Sequence, residues 1–214
     1  MDTRSGNARG LRIWASITRW SLAGYLVSAA VLLLGVLIVF IAQRFPGLFV
    51  VAGIAAIVAG FCSLITIVAL CAWIYCAHAN LGKNQVPELH YAPWWAVLSF
   101  FVPLLNLFVP FQAMRDLYNR SMGEPAHFST QSVPDVTSWW TCFLIGSGIQ
   151  LFMIGTVLVA AMTNIYFTTP PLANVVLGSF GAVLMIMSAF LLHRIVGAIT
   201  RAQLSSLGVH DAFA

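Results

Sequence analysis

The side chains able to do acid, base, nucleophilic or metal chemistry in this sequence of 214 residues are few, with five His, four Cys and six carboxylates. His78, His90, His127 and His193, with Cys76 and Cys142, are of the types that hold zinc. Cys71 and Cys76 stand five residues apart, however, and no Cys or His pair has the short spacing of a zinc motif. An enzyme acting on a lipid headgroup with His78, His90 or His193 as its base would need an orienting carboxylate or a nucleophile beside it, and the sequence places none there. No nucleotide-binding loop, haem pair or pair of acids for hydrolysis occurs. The expectation is a protein without a cofactor or metal, whose role is binding more than catalysis.

The polar residues that remain are amides and charges next to apolar runs. An amide in or beside hydrocarbon must be satisfied, so Asn80 and Asn106 are expected to cap or staple backbone, or to coordinate a ligand. Gln112, Arg115 and Asp116 are candidates for the mouth of a pocket, or for ordinary charge at a membrane exit. Arg120 and Glu124 follow on an expected short amphipathic helix. Trp73 with Tyr75, Trp94 with Trp95, and Trp139 with Trp140 read as an aromatic belt at one interface. Asn119, Arg120 and Ser121 match the glycosylation triplet, a chance match if this loop faces the cytoplasm.

The elements that position these residues follow from where charge is missing. No Asp, Glu, Lys or Arg lies between Asp135 and Arg194, from Trp20 to Gln43, or from Phe45 to Gly82. A transmembrane helix needs about 20 apolar residues, so these runs hold two, one and one crossings. With 60% hydrophobic and 7% charged residues and a mean hydropathy of +0.92, an integral membrane protein is expected. The crossings are placed at about 21–42, 48–78, 138–167 and 172–192, in a single membrane domain over 20–193. A basic segment 1–19 precedes it, 115–135 forms a loop, and 194–214 is a tail. Gln43 to Gly47 reads as a reversal, and Thr168-Thr169-Pro170-Pro171 separates the last two helices. Ala52, Ala56 and Gly60, and Gly178 and Ala182, have spacings that permit close helix contact.

The segment Tyr91 to Met114 is uncharged but contains Pro93, Pro103 and Pro110. As a fifth crossing it would leave basic residues divided five against five across the membrane; as a re-entrant hairpin it leaves nine of ten on the cytoplasmic side. Four crossings with both termini cytoplasmic are therefore expected. A half-helix from Pro93 to Val102 would reach about 15 Å, near the bilayer midplane, where Pro103 would break it and Asn106 could satisfy the freed backbone. A helix lying in the interface, anchored by Trp94 and Trp95, is the alternative.

An ordered set of residues runs through this region. It comprises Trp73, Tyr75, Ala77, Asn80 and Leu81, then Tyr91, Pro93, Trp95, Ala96 and Val97. Phe101, Pro103, Asn106, Leu107, Pro110, Phe111, Gln112, Met114, Arg115, Asp116, Leu117 and Tyr118 follow, then Trp139-Trp140. The set resembles the bacterial membrane family called domain of unknown function 4328. The family commonly carries an Arg where this chain has Cys76. The resemblance implies an all-α integral membrane protein of the bacterial plasma membrane and marks Trp73, Tyr75, Asn80, Pro93, Trp95, Pro103, Asn106, Pro110, Gln112, Arg115 and Asp116 as a candidate motif or pocket. The expected partners are the lipid bilayer, a lipid ligand, and a partner membrane protein or second copy of the chain, but not nucleic acid. A channel or transporter subunit with the hairpin lining the path is the competing expectation.

Overall fold

The computed structural model describes residues 3–42, 46–83, 90–163, 165 and 170–212. Among these the chain is helical and contains no strand: α1 (Thr3–Ala42), α2 (Pro46–Lys83), α3 (Pro93–Leu98), α4 (Val109–Ser121), α5 (Pro134–Thr163) and α6 (Pro171–Ala212). Short 3-10 turns lie at Leu105–Leu107 and Ala126–Phe128. Proline opens α2, α3, α5 and α6 and is the second residue of α4. There its missing N–H costs nothing and its fixed φ suits the first helical turn. The prolines thus mark where helices begin. Pro103 is different, since it stands in the bend between α3 and the first 3-10 turn.

Four helices are long and apolar enough to cross a membrane, over Ala8–Ile38, Val50–Gly82, Pro134–Thr163 and Pro171–Ser205. The basic N-terminal segment and the C-terminal tail, expected as appendages, continue α1 and α6. Leu11 and Ala15 of that first segment are buried in the core. Part of the Gln43 to Gly47 reversal, all of 84–89, and Thr168 and Thr169 lie outside the described residues. Within the crossings, hydroxyls bond back to carbonyls of their own helix, as Ser28 does to Gly24, Ser63 to Ala59 and Ser147 to Phe143. No hydroxyl so paired asks anything of the surrounding hydrocarbon.

α1 packs along α2, α5 along α6, and α1 along α6, whereas among the described residues α2 and α5 have no extensive contact. α3, the bend and α4 fill one half of that gap, with α3 against α2 and α4 touching α2, α5 and α6. The large buried side chains lie in this same half, where Trp73, Met114, Leu117, Val136, Ile195 and Ile199 are almost wholly enclosed. In the other half Val27, Leu34, Ile54, Ile57, Phe61, Leu151, Phe152 and Val157 are exposed. Apolar surface on that scale is costly in water and costs nothing in lipid.

The segment Tyr91 to Met114 contains no helix long enough to cross. Its first helix ends at Leu98, not Val102, five residues before Pro103. The chain tightens there through i to i−3 bonds from Phe100 to Val97 and Phe101 to Leu98, while the buried Ser99 hydroxyl bonds the Ala96 carbonyl. Six residues rise only about 9 Å, short of the half-bilayer reach expected of a longer half-helix. Similarly, α4 ends at Ser121, so Glu124 lies beyond the helix that carries Arg120.

Candidate functional site

The feet of the α3–α4 segment are tied together. As the chain enters, the Tyr91 hydroxyl donates to Gln112 Oε1 at 2.6 Å, and His90 Nδ1 stands 3.9 Å from Asp116 Oδ1. Asp116 is 4% exposed, and its carboxylate meets the His90 backbone and the Ser129 hydroxyl only in weak geometry. Burial pushes its carboxyl above the usual carboxylate range, while His90, Arg120 and the Ser129 hydroxyl pull it back. Burial, reinforced by Asp116, likewise raises the Tyr91 phenol, which keeps it the donor. Gln112 and Asp116 therefore close the base of the segment, and Arg115 lies with its guanidinium 5.2 Å from the Phe111 ring centre.

α4 is anchored in turn to α2, α6 and the following loop. The Asn80 amide donates to Gln203 Oε1 at 3.0 Å, and Gln203 Nε2 donates to Ser121 Oγ at 2.9 Å and to the Ala77 carbonyl at 3.3 Å. Trp73 donates its indole N–H to Thr200 Oγ1 at 3.1 Å. Asn119, whose triplet carried no expected role, points its amide at the carbonyls of Ser129 and Gln131 at 2.8 and 3.0 Å. Asn80 is thus a helix-to-helix staple. Gln203, its partner 123 residues away, has no local sequence signal, because nothing in a polar residue on an expected tail announces a distant amide.

At its tip the segment meets α5. Trp140 donates its indole N–H to the Leu107 carbonyl at 3.0 Å, and its ring lies edge-on to Phe100 and stacked on Phe143. The backbone group freed by the bend is satisfied by Trp140, not by Asn106 as the sequence suggested. The expected aromatic belt correspondingly divides. Trp73, Trp139 and Trp140 are buried, while Tyr75 and Trp94 are 51% and 60% exposed and remain free to meet an interface. Trp95, half-buried, lies edge-on to Trp94. Pro110 is buried where α4 begins, and Pro93 opens α3.

Between this tip and the four long helices lies a cleft of about 380 Å³. Its walls are Leu22 and Tyr25 of α1, Ser63, Thr66 and Leu70 of α2, Phe100, Phe101 and Asn106 of the bend, Trp139, Trp140 and Phe143 of α5, and Met185, Ser188 and Leu192 of α6. Thr66 stands at the middle of the apolar span Val50–Gly82, so the cleft reaches the mid-height of that span. The wall is chiefly apolar. Thr66 bonds Ser21 Oγ at 2.8 Å, whereas Asn106 Oδ1 is buried without a partner. Of the residues expected to form a pocket, Asn106 lines the cleft; Gln112, Arg115 and Asp116 do not. Tyr75 faces a separate shallow depression with Trp94 and Phe101. Tyr25 and Thr66, polar tips in otherwise apolar crossings, carried the missed signal.

All four cysteines are free, and among the described residues no three His, Cys, Asp or Glu side chains gather as metal ligands. The sequence model described as Domain of unknown function (DUF4328) matches residues 41–201. The chain belongs to this family. The DUF4328 region takes in α2, the α3–α4 segment, α5 and most of α6, while Leu22 and Tyr25 come from the helix before it. No match is found among curated proteins or solved structures.

Proposed function

We propose that this protein is a non-enzymatic membrane module that holds a bilayer lipid in the cleft beneath its α3–α4 segment. The observation that carries this reading is the cleft itself, an apolar space at the mid-height of the spanning helices, walled by four of them and by the bend. In hydrocarbon such a space is filled by the apolar solvent at hand, and its shape decides how long an occupant stays. The α3–α4 segment is read as a re-entrant hairpin, because irregular backbone at that depth must be covered by protein, and the Trp140 bond to Leu107 does this.

Native mass spectrometry of protein released from mild detergent is the direct test. The wild type is expected to carry a lipid adduct, and Ser63→Phe and Ala189→Phe, which fill the cleft, to lose it while keeping their thermal transition. A wild type bare of lipid across several detergents overturns the reading.

A plasma-membrane location with both termini cytoplasmic accompanies it. Arg9, Arg12, Arg19, Arg115, Arg120, Arg194 and Arg201 belong to the helix ends grouped at the hairpin half, as the Arg19 bond to His193 and the Arg194 pair with Asp135 illustrate. Glu124→Cys and Pro170→Cys in a cysteine-free background are expected to separate, with only Pro170→Cys labelled by an impermeant thiol reagent on intact cells. Labelling of Glu124→Cys would place the hairpin half outside.

A conducting path is the second reading, favoured by the unpartnered Asn106 Oδ1 in the cleft wall. Ion or solute flux through liposomes that Asn106→Leu abolishes would support it.

A further inference from the structure

A second cleft, of about 510 Å³, continues from the first toward the opposite end of the bundle. It lies among Ala29 and Val36 of α1, Ala59 of α2, Gln150 of α5, and Asn174 and Ser179 of α6. Tyr25 and Met185 line both clefts, so they form the constriction between them. Both spaces lie inside the bundle, with walls from all four long helices, on the side where α2 and α5 have no extensive contact. In the half away from the α3–α4 segment the bundle interior is therefore open sideways to the bilayer. At the hairpin end the path is closed by Phe100, Phe101 and the Trp140 clamp; in the other direction it passes Gln150 and the buried Ser179 hydroxyl, which has no partner, and runs out at Asn174.

We infer that the two clefts form one channel for a single acyl chain of a bilayer phospholipid, with Tyr25 and Met185 setting the chain length accepted. The inference rests on the lipid-binding reading above and gives it an orientation. The headgroup stays at the Asn174 end, where the groove reaches polar side chains, and the terminal methyl points to the hairpin tip. The heights support this division. Along α1 the second cleft runs from Tyr25 to Val36, about 16 Å at ~1.5 Å per residue, close to one leaflet of a roughly 30 Å hydrocarbon core. From Leu22 to Val36 the joined path is about 21 Å, longer than one leaflet. A chain entering from the Asn174 end must pass between Tyr25 and Met185 to reach the first cleft, so the width there decides how long a chain the joined path holds.

The test uses full-length protein exchanged into vesicles of equal parts dilauroyl, dioleoyl and dierucoyl phosphatidylcholine, then released for native mass spectrometry. Tyr25→Ala, which opens the constriction, is expected to raise the ratio of dierucoyl to dilauroyl adduct on the order of tenfold, the factor supplied by about two additional buried methylenes. Met185→Trp, which narrows it, is expected to move the ratio the other way. If lipid binds but neither variant changes the ratio, the chain-length role is overturned and the lipid-binding reading stands. If no lipid binds to the wild type, both fall. A dimer bound without lipid would assign the groove to a second copy of the chain and also overturn the inference. Opposite shifts in two variants cannot arise from a common loss of folding.

Discussion

Gln203 is bonded to Asn80, Ala77 and Ser121 at once, so three helices meet on one side chain that is 2% exposed. Gln203→Leu leaves the buried Asn80 amide and the half-buried Ser121 hydroxyl without this partner, and a loss of about 1–3 kcal/mol is expected. Thermal unfolding in detergent should show this, and Asn80→Leu with Gln203→Leu together should cost less than the sum of the two singly. A strictly additive pair would mean that the two amides act apart. Asp116 makes a pH prediction. Burial raises its folded-state pKa above the unfolded value, so its stabilising state is the protonated one. That contribution is complete below the ordinary Asp value of about 4 and is lost as pH rises through the higher folded pKa. Asp116→Asn is therefore expected to be more stable than the wild type at neutral pH and to show a flatter dependence of Tm on pH; an unchanged profile would show that the carboxyl is not the titrating group. Neither contact was legible beforehand. Asn80, Gln112 and Asp116 could be singled out as polar residues beside apolar runs, but their partners follow from three-dimensional proximity that spacing along the chain does not encode.

At the scale of elements, the charge-free runs and the prolines made the four long helices legible, because both act locally: hydrocarbon excludes charge, and proline restricts its own turn. The hairpin was less legible. Its bend begins at Ser99, set by the 3-10 tightening and by the grip of Trp140, and not at Pro103. The close helix contacts were legible in part, since a Cβ on Gly178 would stand 3.2 Å from Met153 and one on Gly35 would stand 3.6 Å from Ala52. A Cβ on Gly60 would meet nothing within 4 Å, whereas one on Gly146 would stand 3.2 Å from the Gly181 carbonyl and one on Gly181 would stand 2.8 Å from Ile149. Small residues are common throughout membrane helices, so spacing alone cannot pick the pair that touches. Gly146→Leu is expected to cost about 1–3 kcal/mol by forcing α5 from α6, whereas Gly60→Leu should be nearly neutral. Tm values in one detergent decide this, and equal losses at both positions would contradict the contact.

Taken whole, the molecule is two helix pairs, α1 with α2 and α5 with α6, joined along α1 and α6. The opposite side, between α2 and α5, is bridged only in its hairpin half. Such a body resembles a book with its spine at α1 and α6 and one clasp, the hairpin held by Trp140. Its softest motion is the parting of the covers away from the clasp. A thinner or stretched bilayer is expected to widen this gap before it strains the contacts around the hairpin. Spin labels at the exposed Ile57 and Leu151 are expected to give a wider distance distribution in thin vesicles than in thick ones, and a distribution that ignores thickness would show the seam to be rigid.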